Sequence, residues 1–144
     1  MEEKKVFDIE DLFTEKNERE GVWFEPVFDN IKCGVEFLLI GINSEEAGTA
    51  MAKYDELTDK VRNGKDDESY KEKKLRELDA ERVAALTKGI RSTDGSVIQF
   101  NGQAVDESNL KEVVKELYLN SPDIKLACVD FVLKSSNFMK IKKA

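Results

Sequence analysis

An abrupt change of pattern at residues 43–46 limits the possible folds more than anything else in the sequence, because an apolar run ends there and a helix signal begins. Asn43-Ser44-Glu45-Glu46 places a capping side chain three residues before a glutamate, which is typical of a helix N-terminus. Apolar residues then recur at helical spacing as far as Asn63-Gly64, a dipeptide that favours termination. The pattern predicts a helix over about residues 44–62.

The residues before this helix have the pattern of a β-hairpin. Residues 21–28 are rich in aromatic and β-branched side chains, Asp29-Asn30 suits a turn, and residues 31–42 form a second extended run. In the second strand, alternate side chains, Cys33 among them, share the face that we expect to pack on the core. Pro26 has no backbone N–H for the ladder, so we expect the first strand at a sheet edge.

Helical patterns account for most of the remaining chain. We expect a very polar helix over about residues 66–90, a short helix capped by Asp106, and a last helix that begins at Pro122. Asn101-Gly102 suits a two-residue turn, so residues 96–105 should form a second small hairpin or an ordered loop. We therefore predict an α+β, mainly α-helical fold, with an N-terminal β-hairpin followed by about four helices.

Length and charge predict one acidic domain with two terminal extensions: an N-terminal arm (1–20), a single globular domain (21–134) and a basic C-terminal tail (135–144). The net charge of -7 disfavours binding to nucleic acid and to anionic lipid. The longest apolar run, residues 37–42, is far shorter than the ~20 residues of a membrane span. The N-terminus lacks the pattern of a secretion signal, so we expect a cytoplasmic protein without membrane association.

The sequence contains no recognisable catalytic or cofactor chemistry. Histidine is absent, which removes the commonest general base and most transition-metal sites. The glycines lack the spacing of a nucleotide-binding loop, and Asp66-Asp67-Glu68 lacks that of a calcium loop. Cys33 and Cys128 are both expected to be buried as small apolar side chains, with a bridge between them as the alternative. We predict that the protein is not an enzyme and has no catalytic, cofactor-binding or metal-binding residues.

Two groups of side chains are candidates for contacts with another macromolecule. Trp23, Phe24 and Phe28 lie beside the expected edge strand, where they could anchor a protein partner or simply cover the helices. The lysines near the C-terminus could contact phosphates, but they lack the interleaved aromatic residues of a nucleic-acid site. These lysines are Lys134, Lys140, Lys142 and Lys143.

The order and spacing of the elements resemble those of the small tail assembly chaperones of long-tailed bacteriophages and prophages. The resemblance covers most of the chain and rests on no single diagnostic motif. Its components are the apolar strand at 35–40, the helix opened by Asn43-Ser44-Glu45-Glu46-Ala47, the polar helix ending at 83–90, the segment 105–110 before a short helix, the segment 118–124, and the closing Ser135-Ser136-Asn137-Phe138.

The resemblance implies a non-enzymatic chaperone in the host bacterial cytoplasm that coats the tape-measure protein and recruits the major tail protein. We hypothesise that the client surface includes Trp23, Phe24 and Phe28 together with Phe131 and Phe138. The alternatives are a structural phage tail or head–tail joining protein, a cytoplasmic adaptor or regulator, and an enzyme with a site made only of carboxylates. The sequence does not decide between a monomer and a homo-oligomer.

Overall fold

The computed structural model describes residues 4–140 and combines five α-helices with short antiparallel strands, which confirms the predicted mainly helical α+β class. The α-helices are α1 (Glu15–Glu20), α2 (Glu45–Arg62), α3 (Glu68–Ala85), α4 (Leu110–Asn120) and α5 (Pro122–Val132). Two short 3₁₀ helices, Ile9–Leu12 and Ser135–Phe138, precede α1 and follow α5. Within residues 4–140, no helix is both long enough and apolar enough to cross a bilayer.

The strands form one three-stranded sheet and two small two-stranded ribbons. They are β1 (Val22–Phe24), β2 (Val27–Phe28), β3 (Ile31–Lys32), β4 (Val35–Leu39), β5 (Thr87–Ser92), β6 (Gln99–Phe100) and β7 (Gln103–Ala104). The sheet has the order β1-β4-β5, β2 pairs with β3, and β6 pairs with β7. Both predicted hairpins are therefore confirmed, and β1 lies at an edge, as expected from Pro26.

The N-terminal hairpin is interrupted between its two paired regions. Asp29 and Asn30 form the turn with φ angles of 51° and 64°, which asparagine and aspartate tolerate better than other side chains. Gly34 has a φ of 84°, and its N–H donates to the Glu25 carboxylate at 2.9 Å. This break separates the β2–β3 ribbon from the sheet, so the inward alternation predicted for residues 31–39 holds only from Val35 onward.

The prediction for Cys33 is wrong because of this break. Cys33 directly follows β3, its N–H donates to the Pro26 carbonyl, and its side chain is exposed. Cys128 is buried in α5, as predicted. Both cysteines are free, so the alternative of a bridge between them is also excluded.

The predicted helix over 66–90 ends too late, because residues 87–92 form strand β5. β5 pairs with β4, where Phe37 faces Ile90 and Glu36 faces Arg91. α3 ends at Ala85, and its terminal carbonyls receive a side-chain donor: the Lys111 ammonium lies 2.9 Å from the Ala84 carbonyl oxygen. Hydrogen bonds to β4 satisfy the backbone N–H and C=O groups of β5 that a continued helix would have satisfied internally.

Two helices begin at residues other than those predicted. α2 is capped by Ser44, whose Oγ accepts from the Ala47 N–H at 3.2 Å, and not by Asn43. α4 begins after Asn109, three residues later than predicted, because Asp106 accepts from the N–H and hydroxyl of Ser108 in a tight turn. Both differences are small displacements within correctly predicted helices.

The core lies between one face of the sheet and helices α3, α4 and α5. Phe37 of β4 and Tyr118 of α4 face each other at its centre, with ring centroids 6.1 Å apart. The other large side chains of the core are Leu39, Ile40, Val83, Leu86, Val114 and Val132. α2 packs mainly against α3 and contributes Ala47 to this core, with Met51 packed on its edge.

The predicted division into an arm, a domain and a tail stays a prediction. The structure does show that the two terminal segments contact each other: the Asn17 side-chain amide donates to the Phe138 carbonyl at 2.9 Å, and the Lys140 N–H donates to the Asp11 carbonyl at 2.9 Å. Lys134 and Lys140 are exposed, whereas Lys142 and Lys143 lie outside the described residues.

Candidate protein-binding surfaces

The N-terminal segment, residues 6–13, exposes more large apolar side chains than any other part of the described chain. Asp8 caps the 3₁₀ helix by accepting from the Glu10 N–H at 3.0 Å. Five apolar side chains of the segment project into solvent, with exposed fractions of 40–91%. They are Val6, Phe7, Ile9, Leu12 and Phe13. Five such side chains among eight residues form an apolar surface of the kind that marks protein interaction sites.

Helix α1 fixes the base of this segment through a buried carboxylate. Glu18 is 4% exposed, and its oxygens accept from the Thr14 hydroxyl at 2.9 Å and the Asn43 amide at 3.2 Å. The Glu18 backbone carbonyl accepts from the Gly41 N–H at 2.9 Å. Because a buried carboxylate needs such donors, this network fixes α1 against the chain between β4 and α2.

Trp23 is the only one of the five proposed client-binding residues on the outer face of the three-stranded sheet. Its ring lies under the Arg91 guanidinium, whose central carbon is 3.9 Å from the ring centroid, and Arg91 also donates to Glu36 at 3.1 Å. Across the sheet, Trp23 faces Leu38, and Leu38 faces Gly89. Trp23 is therefore half-buried by neighbours on its own sheet and keeps an accessible edge.

Phe24, Phe131 and Phe138 instead form a ring cluster that holds elements of the fold together. Phe24 points to the opposite face from Trp23, because neighbouring residues on a strand alternate. Its ring stacks on that of Phe131 with centroids 4.5 Å apart, and Phe131 meets Phe138 edge-on at 5.7 Å. Phe138 is fully buried and has no surface for a partner. Phe28 lies apart, half-buried in the β2–β3 ribbon.

A groove of about 1250 Å³ lies between helices α1, α2, α3 and α4. Two of its lysines form ion pairs within the protein: Lys88 with Glu46 at 2.6 Å, and Lys115 with Glu81 at 2.9 Å. The Lys111 ammonium lies 2.7 Å from the Thr87 carbonyl, and burial lowers the pKa of Lys111, with a smaller effect from nearby Lys88. These contacts engage three lysines of the groove, Lys88, Lys111 and Lys115, within the fold itself.

The described residues contain no group of three or more acidic or cysteine side chains positioned to hold a metal ion. Burial raises the pKa of the Cys128 thiol to about 12 and that of Tyr118 well above its ordinary value. A thiol that stays protonated at neutral pH is a poor nucleophile. The prediction that the protein is not an enzyme stays a prediction.

The segment 6–13 was not among the predicted client-binding residues, although its apolar pattern is visible in the sequence. Val6, Ile9, Leu12 and Phe13 have the spacing of a short amphipathic helical turn, but the segment is equally compatible with a mobile arm. Only the structure shows that these side chains stay exposed.

Comparison of the chain with protein-family models, with curated proteins and with solved structures finds no match.

Proposed function

We propose that this protein binds apolar segments of a partner protein and keeps that partner soluble, in the manner of the tail assembly chaperones that it resembles. Its clients would be a tape-measure protein and a major tail protein. The observation that carries this proposal is the exposure of Val6, Phe7, Ile9, Leu12 and Phe13 on one short segment.

The energetics of such a surface favour a protein partner. Burying a large apolar side chain contributes about 1.5–3 kcal/mol before the costs of association are subtracted. Five such side chains could therefore support binding even after those costs, provided that the partner offers an apolar stripe. A helical client with apolar residues every three to four positions provides that stripe.

The charges around the segment support a chaperone role. Asp8, Glu10 and Asp11 alternate with the apolar residues, and the whole chain has a net charge of -7. A complex coated by such a protein would carry added negative charge, which opposes aggregation. The same charges make nucleic acid a poor partner for this surface.

Co-expression tests the proposal most directly. The chain is co-expressed with the product of the longest open reading frame downstream of its gene, and we expect the long protein to stay soluble and to co-purify. The double variant Phe7→Ser/Phe13→Ser should lose most of this co-purification while retaining its far-UV circular dichroism. Val27→Ser/Ile31→Ser is the matched control, because it removes two apolar side chains of similar exposure from the β2–β3 ribbon.

The variants also separate the two candidate surfaces. Trp23→Ala tests the surface proposed from sequence, and we expect a smaller loss than for the double variant of the N-terminal segment. Co-purification that survives Phe7→Ser/Phe13→Ser would overturn the assignment of the segment. If the wild-type chain does not bind the long protein but is found in purified phage particles, the result would instead support a structural tail protein.

A further inference from the structure

The longest stretch without a charged side chain, residues 95–105, forms an exposed hairpin. It spans eleven residues in a chain of which 37% is charged. β6 and β7 are joined by Asn101-Gly102, whose φ angles of 51° and 77° are those of a tight two-residue turn. Val97 and Phe100 are 72% and 40% exposed. A lone two-stranded hairpin is marginally stable in water, so a further strand would stabilise this one.

The hairpin lacks the protection that exposed strand edges usually have. Edges of β-sheets are normally blunted by charged side chains, proline or a covering element. None of the residues in β6 and β7 is charged or proline, and all are exposed. Among the described strands, β6 and β7 pair only with each other. The hairpin therefore has no charged or proline residue to block pairing at its edges.

The two edges differ in the availability of their backbone groups. The Val105 N–H donates to the Ile98 carbonyl at 2.9 Å, so the next pair, Gln99 and Ala104, directs its backbone N–H and C=O groups outward. The Ala104 carbonyl is occupied, because the Asn109 side-chain amide donates to it at 3.0 Å. The open edge is that of Gln99 on β6.

We propose that a second copy of this chain pairs with this edge, β6 against β6 in antiparallel orientation, about a two-fold axis at Gln99. In that register the two Gln99 residues exchange their backbone N–H···O=C hydrogen bonds, and Ile98 of each copy faces Phe100 of the other. Ile98 and Phe100 share one face of the strand, so four apolar side chains would meet on one side of a four-stranded sheet.

The absence of charge favours a second copy as the occupant. In self-pairing, each residue of β6 meets a residue of the same uncharged segment, so no like charges oppose each other. The chain has a net charge of -7, so two copies repel each other less where they meet through an uncharged segment. The pairing is also self-complementary, as a closed two-fold dimer requires. The proposal goes beyond client binding and uses a surface separate from residues 6–13.

Sedimentation velocity over a range of concentrations tests the proposal. We expect a dimer that Gln99→Pro weakens by about tenfold or more, because proline removes the outward N–H in both copies without removing a hydrogen bond inside the hairpin. Gln99→Lys should also dissociate it by placing two ammonium groups side by side. Ala104→Lys is the matched control: it adds the same charge at the same rung, but on the occupied edge, and should leave the dimer intact.

Disulfide trapping gives a second readout that does not depend on a destabilising variant. Residues facing each other in a hydrogen-bonded antiparallel pair have Cα atoms about 5.5 Å apart, which a disulfide can span. In a Cys33→Ser background, Gln99→Cys should form a covalent dimer on mild oxidation, whereas Ala104→Cys should not. A monomer at all concentrations, or a dimer that survives Gln99→Pro and is not trapped through position 99, would overturn the proposal.

Discussion

The hydroxyl groups of Thr87 and Tyr118 lie 2.8 Å apart in the core, although the residues are 31 positions apart in the sequence. The Thr87 hydroxyl also lies 3.0 Å from the Val83 carbonyl oxygen, and the Tyr118 hydroxyl lies 3.8 Å from Cys128 Sγ. The hydrogen bond between Thr87 and Tyr118 joins the start of β5 to α4, at the point where the chain leaves helix α3.

Tyr118→Phe should lower the free energy of unfolding by about 1 kcal/mol, because it removes the hydroxyl and its hydrogen bond to Thr87 while keeping the ring in place. Urea denaturation measures the change. Tyr70→Phe is the control, since Tyr70 is 51% exposed, and it should change stability by only a few tenths of a kcal/mol. Equal effects of the two variants would contradict the assignment of the buried hydrogen bond.

Gly41→Ala should destabilise the protein by about 1–3 kcal/mol, because an added Cβ would lie 2.2 Å from Glu18 Cγ. Glu18 cannot move away easily, since its carboxylate and carbonyl are both hydrogen-bonded. Gly48→Ala is the opposite case: nothing lies within 4 Å of its added Cβ, and it is inside α2. Thermal melting should show that Gly48→Ala stabilises the protein by about 0.5–1 kcal/mol. Changes in stability of the same sign for Gly41→Ala and Gly48→Ala would contradict this prediction.

One thiol should react with Ellman's reagent in the native protein at pH 8, and two in denaturant. Cys33 is exposed, whereas Cys128 is fully buried and its pKa is raised to about 12. Cys33→Ser should abolish the fast reaction, and Cys128→Ser should leave it unchanged. Rapid native reaction of both thiols would show that α5 opens far more readily than its packing indicates.

Stability should fall as the pH rises from about 9 to about 12, in part because of Cys128. The pKa of this thiol is 9.0 as its ordinary value and about 12 in the folded protein, where burial disfavours the thiolate. Between these values the unfolded chain has lost the proton that the folded chain retains. This one group therefore contributes a loss of up to about 1.4 kcal/mol per pH unit.

Burial also raises the pKa of Tyr118, with a smaller contribution from neighbouring Cys128, so comparison of Cys128→Ala with the wild type measures the thiol together with its effect on Tyr118. Denaturant titrations at pH 8 and pH 10.5 should give a smaller alkaline loss for Cys128→Ala. Cys33→Ala should retain the wild-type slope. An unchanged slope in Cys128→Ala would mean that the thiol ionises at its ordinary pKa in the folded protein.

Elements with local signals could be predicted from the sequence. α2 has a cap, an apolar stripe and a terminator within twenty residues, and the β6–β7 turn is fixed by Asn101-Gly102 alone. β5 could not be predicted in this way, because Thr87–Ser92 becomes a strand only by pairing with β4, some fifty positions earlier. Tertiary pairing there overrides a local pattern that continues a helix.

The candidate surfaces were less predictable than the fold, for a physical reason. Trp23 and Phe24 are adjacent aromatic residues, and only the orientation of β1 decides which one faces outward. Phe138 is an aromatic residue of the kind that anchors a protein partner, but it is fully buried and its ring contacts Phe131. Exposure is a property of the assembled chain, so a sequence pattern can nominate a binding residue but cannot place it.

The contact between the two terminal segments also has a consequence for the order of folding. Asn17 and Phe138 are 121 positions apart, so their hydrogen bond closes a loop that includes the whole core. Loop-closure entropy makes such a contact among the last to form, and its loss leaves the sheet and the central helices paired. The apolar segment 6–13 should therefore be positioned late in folding and released early as temperature or denaturant concentration rises. Hydrogen exchange in α1, at the base of the segment, should be faster than in α4.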